Sequence, residues 1–470
     1  MSAFADFGAY LDRSFFRCVG PIILPIFFLL VSAVSAAPAC KPTSRPLRAW
    51  NSWSAYAGDV NETLILSAAS FVAQHLAPFG YDTVVVDGGW NGAKFPNGSR
   101  ANLFNENGLP IPDATRFPSS ATSRSLKGLA AAVHAQGLKF GAWFIRGVPV
   151  GGVAQRLPIA GAPGLTLADA ATYSLNCSWD SDVLGTNAPS AAAAAWYASL
   201  ARWYVAQDLD LIKIDCMWPS ANHTPFDGDV LSFAQAFSAL APGVTISWSP
   251  GGGTTVGNGS WLAAHGPRFG VAYRVTPDFH DYNGWPRLIQ QYVTAVNFSP
   301  LIGANGTFPD LDMLPFGLQA PGSHPCAFSH DEQRFIMTLW AVARSPLILG
   351  AALPLAADDA WTLPLVTNAA VLAVNAASCG NAPVPVLNED PSGLGAWAAV
   401  AEGDGETSYL ALFNMRDAAT NVSVALQPPP AGGRLCAKDL WAGKEEGGVA
   451  RSLTRELPAH AGGLWAVGPC

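Results

Sequence analysis

A short segment, residues 211–216, carries two charges within an otherwise apolar run, and its spacing is the first indication of chemistry in this sequence. Side chains alternate between the two faces of a strand, so Lys213 and Asp215 point the same way, with two isoleucines on the other face. Burying either charge alone is costly, so the two must interact with each other or with a ligand. The alternative, for a single strand, is a structural ion pair in which Asp215 caps the next helix.

Similar polar residues recur at the ends of other predicted strands, which favours a shared pocket over one structural ion pair. They are Asp87 after strand two, Arg146 after strand three, Ser247 and Ser249 on strand five, Arg274, Thr276 and Asp278 on one face of strand six, and Asp310 and Asp312 after strand seven. The tryptophans predicted near the same rim are Trp50, Trp90, Trp143 and Trp179. Carboxylates, cations and tryptophans without a metal or phosphate motif indicate a sugar site, so we expect a carbohydrate substrate, no metal and no cofactor.

Two carboxylates are enough to cleave an acetal, one as nucleophile or base and the other as proton donor. Lys213 favours an ionised Asp215, which suits a nucleophile. The proton donor needs a drier or less cationic setting, which favours Asp278, although the nearby Arg274 could reverse that assignment. Spacing alone scarcely decides which aspartate is the nucleophile and which is the proton donor, and it leaves the class of sugar open.

The elements that must position these residues alternate between strand and helix. Strand-like runs at residues 48–53, 83–87, 138–146, 211–216, 244–249, 272–276, 301–303 and 346–350 alternate with segments of mostly helical periodicity. Eight such units predict an α/β fold, a (β/α)8 TIM barrel over residues 37–380, in which the carboxyl ends of the strands share one face. From residue 381 to 470, short strands lie between turn-rich stretches, which predicts a C-terminal antiparallel β-sandwich.

The composition and the N-terminus indicate an exported globular protein. The 470 residues carry a net charge of −8 and no basic run, which argues against nucleic acid or an anionic membrane as a partner. Arg13 and Arg17 precede an apolar run and small residues, which predicts a signal peptide over residues 1–36 with cleavage after Ala36. A membrane anchor is the alternative, disfavoured by the glycine and prolines that interrupt the short run. We therefore expect a protein of the secretory pathway, extracellular or vacuolar/lysosomal, without membrane association after cleavage.

Sequons and cysteines agree with export. Asn-X-Ser/Thr sequons begin at Asn61, Asn97, Asn176, Asn222, Asn258, Asn297, Asn305 and Asn421. Seven cysteines remain once Cys18 is removed, so disulfides are permitted and at least one thiol is free or intermolecular. No CxxC or Cys/His spacing indicates zinc.

Ordered motifs over almost the whole mature chain resemble the melibiase-like α-galactosidases of glycoside hydrolase family 27. The matching stretches are residues 50–53, 81–90, 137–141, 210–216, 274–278, 309–314 and 339–347, and the tail with residues 439–444 looks like that family's C-terminal sandwich. Each motif alone is weak, whereas seven in order are a strong signal.

The resemblance implies a retaining exo-glycoside hydrolase that releases terminal α-linked galactose from oligosaccharides or glycoconjugates. It implies Asp215 as nucleophile and Asp278 as acid/base, with carboxyl groups about 5–5.5 Å apart. The residues implied or expected to contact substrate are Trp50, Asp87, Arg146, Lys213, Ser247, Arg274 and Asp312, with Asp310 and Asp312 shaping the pocket. Cys216 resembles the family's bridged cysteine, and Cys177 is the expected partner. Trp143 and Trp340 are expected in the core, and Arg146 has the alternative role of neutralising Asp87 or Asp215.

Departures from the family's pattern leave the sugar open. Gly88 stands where a second acid often follows Asp87, and residues 247–250 and 146–149 also differ. An α-N-acetylgalactosaminidase, a β-L-arabinopyranosidase and a non-catalytic galactose-binding lectin-like protein are therefore alternatives.

Overall fold

The computed structural model describes residues 40–42, 44–94, 100–217, 227–249, 270–320, 323–403, 405–426 and 434–470, which belong to one compact unit. The expected signal peptide, the sequons at Asn97, Asn222 and Asn258, and the segment joining strands five and six lie outside these residues.

Eight parallel strands form the sheet that organises the molecule. They are β1 Arg48–Asn51, β2 Thr83–Val86, β3 Lys139–Ile145, β4 Leu211–Asp215, β5 Thr245–Ser249, β6 Ala272–Arg274, β7 Phe308–Asp310 and β8 Leu347–Leu349. Their order is β7-β6-β5-β4-β3-β2-β1-β8. Leu314 closes the ring, since it bridges to Leu349 and donates its N–H to the carbonyl of Ile348 at 2.8 Å. The predicted barrel is confirmed.

Helices follow the strands and cover the outside of the barrel. The main ones are α1 Glu62–Phe71, α2 Lys127–His134, α3 Ala191–Ala206, α4 Asp227–Leu240, α5 Gly284–Phe298, α6 His330–Val342 and α7 Ala369–Ala377. Their starts have local causes: the side chain of Asn61 caps α1, Ser190 caps α3, and Ser329 forms a capping box with Glu332 on α6. The apolar faces then pack on the sheet in one large core.

The seventh strand lies seven residues later than the apolar run 301–303 indicates. Pro300 sits in a 3₁₀ turn, Ser299–Leu301, and Gly303 takes a left-handed φ of 75°, so this run turns rather than extends. The true strand pairs Arg274 of β6 with Asp310, which places Asp310 in the strand and not after it.

The C-terminal region is antiparallel, as predicted. Its strands are β9 Ser378–Pro383, β10 Leu394–Ala401, β11 Ser408–Asn414, β12 Thr420–Ala425, β13 Leu435–Asp439, β14 Lys444–Val449, β15 Ser452–Leu457 and β16 Gly462–Pro469. Six form the sheet β9-β10-β11-β16-β13-β14, and β12 pairs with β15. A second core, with Leu412, Val422 and Leu453, lies between the two sheets. Phe413 joins this domain to the barrel, 4.7 Å from Phe335 and 5.3 Å from Tyr292 between ring centroids.

Three disulfides tie the chain together: Cys40–Cys379, Cys177–Cys216 and Cys436–Cys470. The expected partner of Cys216 is confirmed, and among the cysteines that the structure describes, Cys326 has a free thiol. Within the parts of the chain that the structure describes, no helix is both long enough and apolar enough to cross a membrane.

Candidate active site

The charged end of β4 is held by one donor from β3 and one from the residue that follows β4. Oδ2 of Asp215 accepts from the indole nitrogen of Trp143 at 3.0 Å, and Oδ1 accepts from the amide of Cys216 at 2.7 Å. Lys213 instead pairs with Asp87, with Nζ 2.7 Å from Oδ2. The two charges of the β4 motif therefore have different partners, and Asp215 is free of a direct lysine contact at hydrogen-bond distance.

Both carboxylate oxygens of Asp87, at the end of β2, accept hydrogen bonds. Its Oδ2 also accepts from Nδ2 of Asn51 at 2.7 Å, and its Oδ1 accepts from the amide of Gly88 at 2.7 Å. Its own amide donates to Oγ of Ser52 at 2.9 Å. These bonds fix the carboxylate that in turn fixes the ammonium of Lys213, whose side chain is 14% exposed. Sequence reasoning missed Asn51, although it directly follows Trp50 in the first motif.

A second cluster of charges centres on Arg274 of β6. Its guanidinium pairs with Asp278 and, at 3.3 Å, with Oδ2 of Asp312. Asp278 is 59% exposed, whereas Arg274 and Asp312 are almost fully buried. Asp312 also accepts from the amides of Phe279 and Met313, both at 2.8 Å. The buried carboxylate thus anchors both the arginine and the segment that follows Asp278.

The carboxyl groups differ in their proton affinity. Burial raises the pKa of Asp215, and the charges of Lys213 and Arg274 oppose that rise. Arg274 lowers the pKa of Asp278, and Lys213 contributes in the same direction. Burial, reinforced by the charge of Asp312, raises the pKa of Asp310 to about 6. Because Lys213 and Arg274 act on both Asp215 and Asp278, the two carboxyl groups share one electrostatic environment.

Trp50 does not line the site. Its side chain is completely buried, and its indole N–H donates to the carbonyl of Ala351 at 2.7 Å. It therefore cannot offer a ring face to a sugar, and the expectation of substrate contact is wrong. Trp50 lies within β1, where the strand passes through the core, whereas the site lies beyond the end of the strand.

Trp53 and Trp143 occupy the position expected for Trp50. A Cβ built on Gly88 would lie 3.3 Å from the ring of Trp53 and 3.7 Å from that of Trp143, so the two indoles flank the residue after Asp87. Trp53 is partly exposed, and Trp143 is 8% exposed and bonded to Asp215. Trp143 is buried in a hydrophobic cluster, as expected, and its indole N–H additionally contacts the edge of the site through Asp215. Counting positions from the end of β1 would have favoured Trp53 over Trp50.

Arg146 is enclosed behind the site. Its guanidinium is completely buried and bonds to Asp229 at 3.1 Å, to the carbonyl of Cys216 at 2.8 Å and to the carbonyl of Leu175 at 2.6 Å. Its ion pair with Asp229 replaces the expected pairing with Asp87 or Asp215. This burial contradicts direct contact with a substrate. Arg146 instead holds the backbone of Cys216, which has a left-handed φ of 57° and donates to Asp215.

The remaining expected residues lie at different depths. Ser247 is level with Lys213 in the sheet, and Ser249 is level with Asp215. Among the described residues, the buried Oγ of Ser249 has no hydrogen-bond partner, which makes it the stronger of the two candidates for a ligand contact. Trp90 is buried and donates to the carbonyl of Trp143 at 2.9 Å, Thr276 is buried, and Trp179 is 51% exposed.

Comparison with known proteins relates this chain to α-galactosidases and to family 27 structures. The domain family described as "Alpha galactosidase C-terminal beta sandwich domain" matches residues 391–467. A crystal structure of a family 27 β-L-arabinopyranosidase from Geobacillus stearothermophilus is 30% identical, with a TM-score of 0.83 over 91% of this chain and 97% of that chain. The α-galactosidase of Cyamopsis tetragonoloba is 24% identical, covering 90% of this chain and 86% of that protein.

A longer relative covers nearly the whole chain as well. α-Galactosidase D of Emericella nidulans is 25% identical over 93% of this chain, and the chain spans 59% of that protein's length. The carboxyl ends of the strands form the functional face of a (β/α)8 barrel, and two carboxylates there provide the groups that cleavage of a glycosidic bond uses. This chain belongs to glycoside hydrolase family 27, at low identity to the relatives described.

Proposed function

We propose that this protein is a retaining exo-glycoside hydrolase that releases terminal α-linked galactose from oligosaccharides or glycoconjugates by double displacement. Asp215 is the nucleophile and Asp278 the acid/base. The observation that carries the proposal is the support of Asp215: each carboxylate oxygen accepts one N–H, from Trp143 and from Cys216, beside the charge of Lys213. Such a carboxylate is oriented and has cationic support for its ionised form, as a nucleophile requires. The curated relatives named α-galactosidases support the choice of sugar.

The reaction proceeds in two displacements. An oxygen of Asp215 attacks the anomeric carbon while Asp278 gives its proton to the glycosidic oxygen, and the aglycone leaves as an alcohol. Asp278 then takes a proton from water, which attacks the same carbon and releases Asp215. The mechanism requires carboxyl groups about 5–5.5 Å apart, since a wider gap would admit water for a single displacement.

The pairing of Asp278 with Arg274 sets a condition on this mechanism. An acid held ionised by an arginine cannot donate a proton, and Arg274 lowers the pKa of Asp278. Asp278 is the more exposed member of the pair, whereas Arg274 has a second, buried partner in Asp312. We therefore assign to the substrate the task of separating Asp278 from Arg274, with a sugar hydroxyl taking its place on the guanidinium.

A β-L-arabinopyranosidase is the second candidate, favoured by one feature of the pocket. Gly88 follows Asp87, and the rings of Trp53 and Trp143 fill the space where a side chain at this position would extend. This wall is apolar and offers no acceptor from residue 88 to a hydroxymethyl group. β-L-Arabinopyranose has the ring stereochemistry of galactose but lacks C6, and the solved relative at 30% identity is a β-L-arabinopyranosidase.

A panel of aryl glycosides tests the proposal. Wild-type protein, Asp215→Asn and Asp278→Asn are assayed on nitrophenyl α-galactoside, α-N-acetylgalactosaminide and β-L-arabinopyranoside. We expect turnover of the α-galactoside, almost complete loss in Asp215→Asn, and a smaller loss in Asp278→Asn, because nitrophenolate needs little protonation to leave. Proton NMR of the first product must show retained configuration.

The other outcomes separate the alternatives. Faster turnover of the arabinopyranoside supports a β-L-arabinopyranosidase. Turnover of the α-N-acetylgalactosaminide alone supports an α-N-acetylgalactosaminidase. Galactose binding by folded protein without turnover of any substrate would instead support a lectin-like role and overturn the hydrolase.

We also propose that the protein works in an exported compartment, extracellular or vacuolar/lysosomal. The three disulfides support this location, because such bonds persist in oxidising environments. Detection of a mature chain beginning after Ala36, outside the cytosol and carrying N-linked glycans, tests it.

A further inference from the structure

Two stacked aromatic rings stand immediately after the proposed acid/base. The ring of Tyr282 lies parallel to that of His280, with centroids 4.8 Å apart and an interplanar angle of 14°. His280 covers one face of this tyrosine, and Tyr282 is nevertheless 60% exposed. The described structure therefore presents a flat, open ring four residues beyond Asp278.

The turn that carries the rings is firmly held. The amide of His280 donates to Oδ1 of Asn283 at 2.8 Å, closing a 3₁₀ turn over Asp281–Asn283. Asp281 is buried and accepts from the amide of Ala327 at 2.8 Å. On the other side, Phe279 is buried and its amide donates to Asp312. The rings are thus ordered before any ligand arrives, which lowers the entropic cost of binding to them.

The rings follow the acid closely in the chain and interact with it electrostatically. Burial raises the pKa of the Tyr282 hydroxyl, and the charge of Asp278 adds to that rise. His280 acts in turn on Asp278, whose pKa is lowered mainly by Arg274. The stacked pair begins two residues after Asp278, whose side chain is 59% exposed, so the rings and the acid lie on one short segment that faces solvent.

We propose that Tyr282, supported by His280, forms a binding site for the aglycone, and that the preferred aglycone is a second pyranose ring. The inference rests on the proposed function. The acid/base must contact the glycosidic oxygen, so the aglycone begins at Asp278 and extends toward solvent. An aromatic ring with one open face packs against the C–H face of a pyranose. The enzyme therefore prefers oligosaccharides to glycosides with small leaving groups.

Comparing two substrates with the same glycone tests this site. Methyl α-galactoside has a one-carbon aglycone, and α-galactosyl-(1→6)-glucose has a sugar; the matching β-L-arabinopyranosides replace them if the aryl panel selects that glycone. We expect Tyr282→Ala to lower kcat/KM for the disaccharide about five- to tenfold, mainly through KM, and to change the methyl glycoside less than twofold. Tyr282→Phe, which keeps the ring, must retain activity on both.

Tyr173→Ala provides the matched control, because Tyr173 is a 77% exposed tyrosine outside the turn. It must leave both substrates unchanged. Equal losses on the two substrates in Tyr282→Ala, or no loss on the disaccharide, would overturn the aglycone site. Absence of turnover of both substrates by wild-type protein would instead count against the proposed function.

Discussion

The indole nitrogen of Trp143 lies 3.0 Å from Oδ2 of Asp215, which joins β3 to the end of β4 at the proposed nucleophile. Asp215 is only partly exposed, so the orientation of its carboxylate depends on the few donors around it. The backbone amide of Cys216 supplies the other contact. Trp143 is therefore the side chain whose removal tests the nucleophile's support most directly.

Replacing Trp143 with phenylalanine keeps an aromatic ring and removes the N–H. We expect kcat to fall roughly 10- to 100-fold, since a hydrogen bond to a charged group is worth about 1.5–3 kcal/mol. Steady-state kinetics on the aryl galactoside measure the loss. Trp441→Phe is the control, because it also loses an indole hydrogen bond, here to Oγ1 of Thr338 and not to Asp215. Its kcat must stay within about twofold of the wild-type value. An unchanged kcat in Trp143→Phe would remove this residue from the proposed machinery.

Arg274→Gln should move the whole pH profile of kcat/KM to higher pH. The charge of Arg274 lowers the pKa of both Asp278 and Asp215, so its removal raises both. Asp278 then keeps its proton to higher pH, which moves the alkaline limb up. Asp215 ionises only at higher pH, which moves the acid limb up as well.

The profile is measured beside Arg416→Gln, which breaks an exposed arginine–aspartate pair in the C-terminal domain and should shift neither limb. We also expect the rate of Arg274→Gln to fall at every pH, because the proposed contact between Arg274 and a sugar hydroxyl is lost. A lower rate with both limbs in place would mean that Arg274 does not control the two carboxyl groups.

Asp310 should make the protein less stable as pH rises. Its pKa in the folded state is about 6, above the ordinary 3.8, so the folded state binds the proton more tightly than the unfolded state. The resulting stabilisation amounts to about 3 kcal/mol at most. It is fully present below the pKa that Asp310 has in the unfolded state, and it is lost as pH rises through about 6.

Asp310→Asn keeps the acceptor for the amide of Asp312 but cannot titrate. Urea unfolding of both proteins at pH 4 and pH 7 measures the effect: relative to the variant, wild type should lose free energy of unfolding between these values. An equal difference at both pH values would show that Asp310 has an ordinary pKa.

The buried pair of Arg146 and Asp229 should be sensitive to loss of one partner. Asp229 also accepts from Thr186 and Tyr197, so a cluster of three donors surrounds one charge. Arg146→Met leaves that charge buried, and we expect a loss of about 3–5 kcal/mol in the free energy of unfolding. Asp229→Asn in the same chain should recover part of it. A single variant as stable as wild type would contradict the prediction.

The sequence predicts the barrel because side chains alternate clearly in the β4 segment and apolar residues recur with helical spacing in the segments between strands. The seventh strand escaped prediction since Pro309, within Phe308–Asp310, lacks a ladder donor and is atypical of a strand. The apolar run at 301–303 looked more regular, but Pro300 and Gly303 make it a turn.

Side-chain roles were harder to predict where they depend on distant partners. Arg146 and Asp229 are 83 residues apart, and no local pattern connects them. Trp50 and Trp53 belong to one motif. Trp50 is buried because it lies within β1, whereas Trp53 lies at the pocket because it follows the end of that strand, and the sequence does not fix where β1 ends. Cys177 could be paired by resemblance, whereas the partners of Cys40 and Cys436 required coordinates.

The bond between Cys40 and Cys379 spans 339 positions and encloses every strand of the barrel. A protease that cuts once anywhere inside this covalent circle releases no fragment, because both pieces stay attached through the two sulfurs. Clipped and intact enzyme would therefore have the same mass apart from one water, and would separate on a gel only after reductant opens the circle.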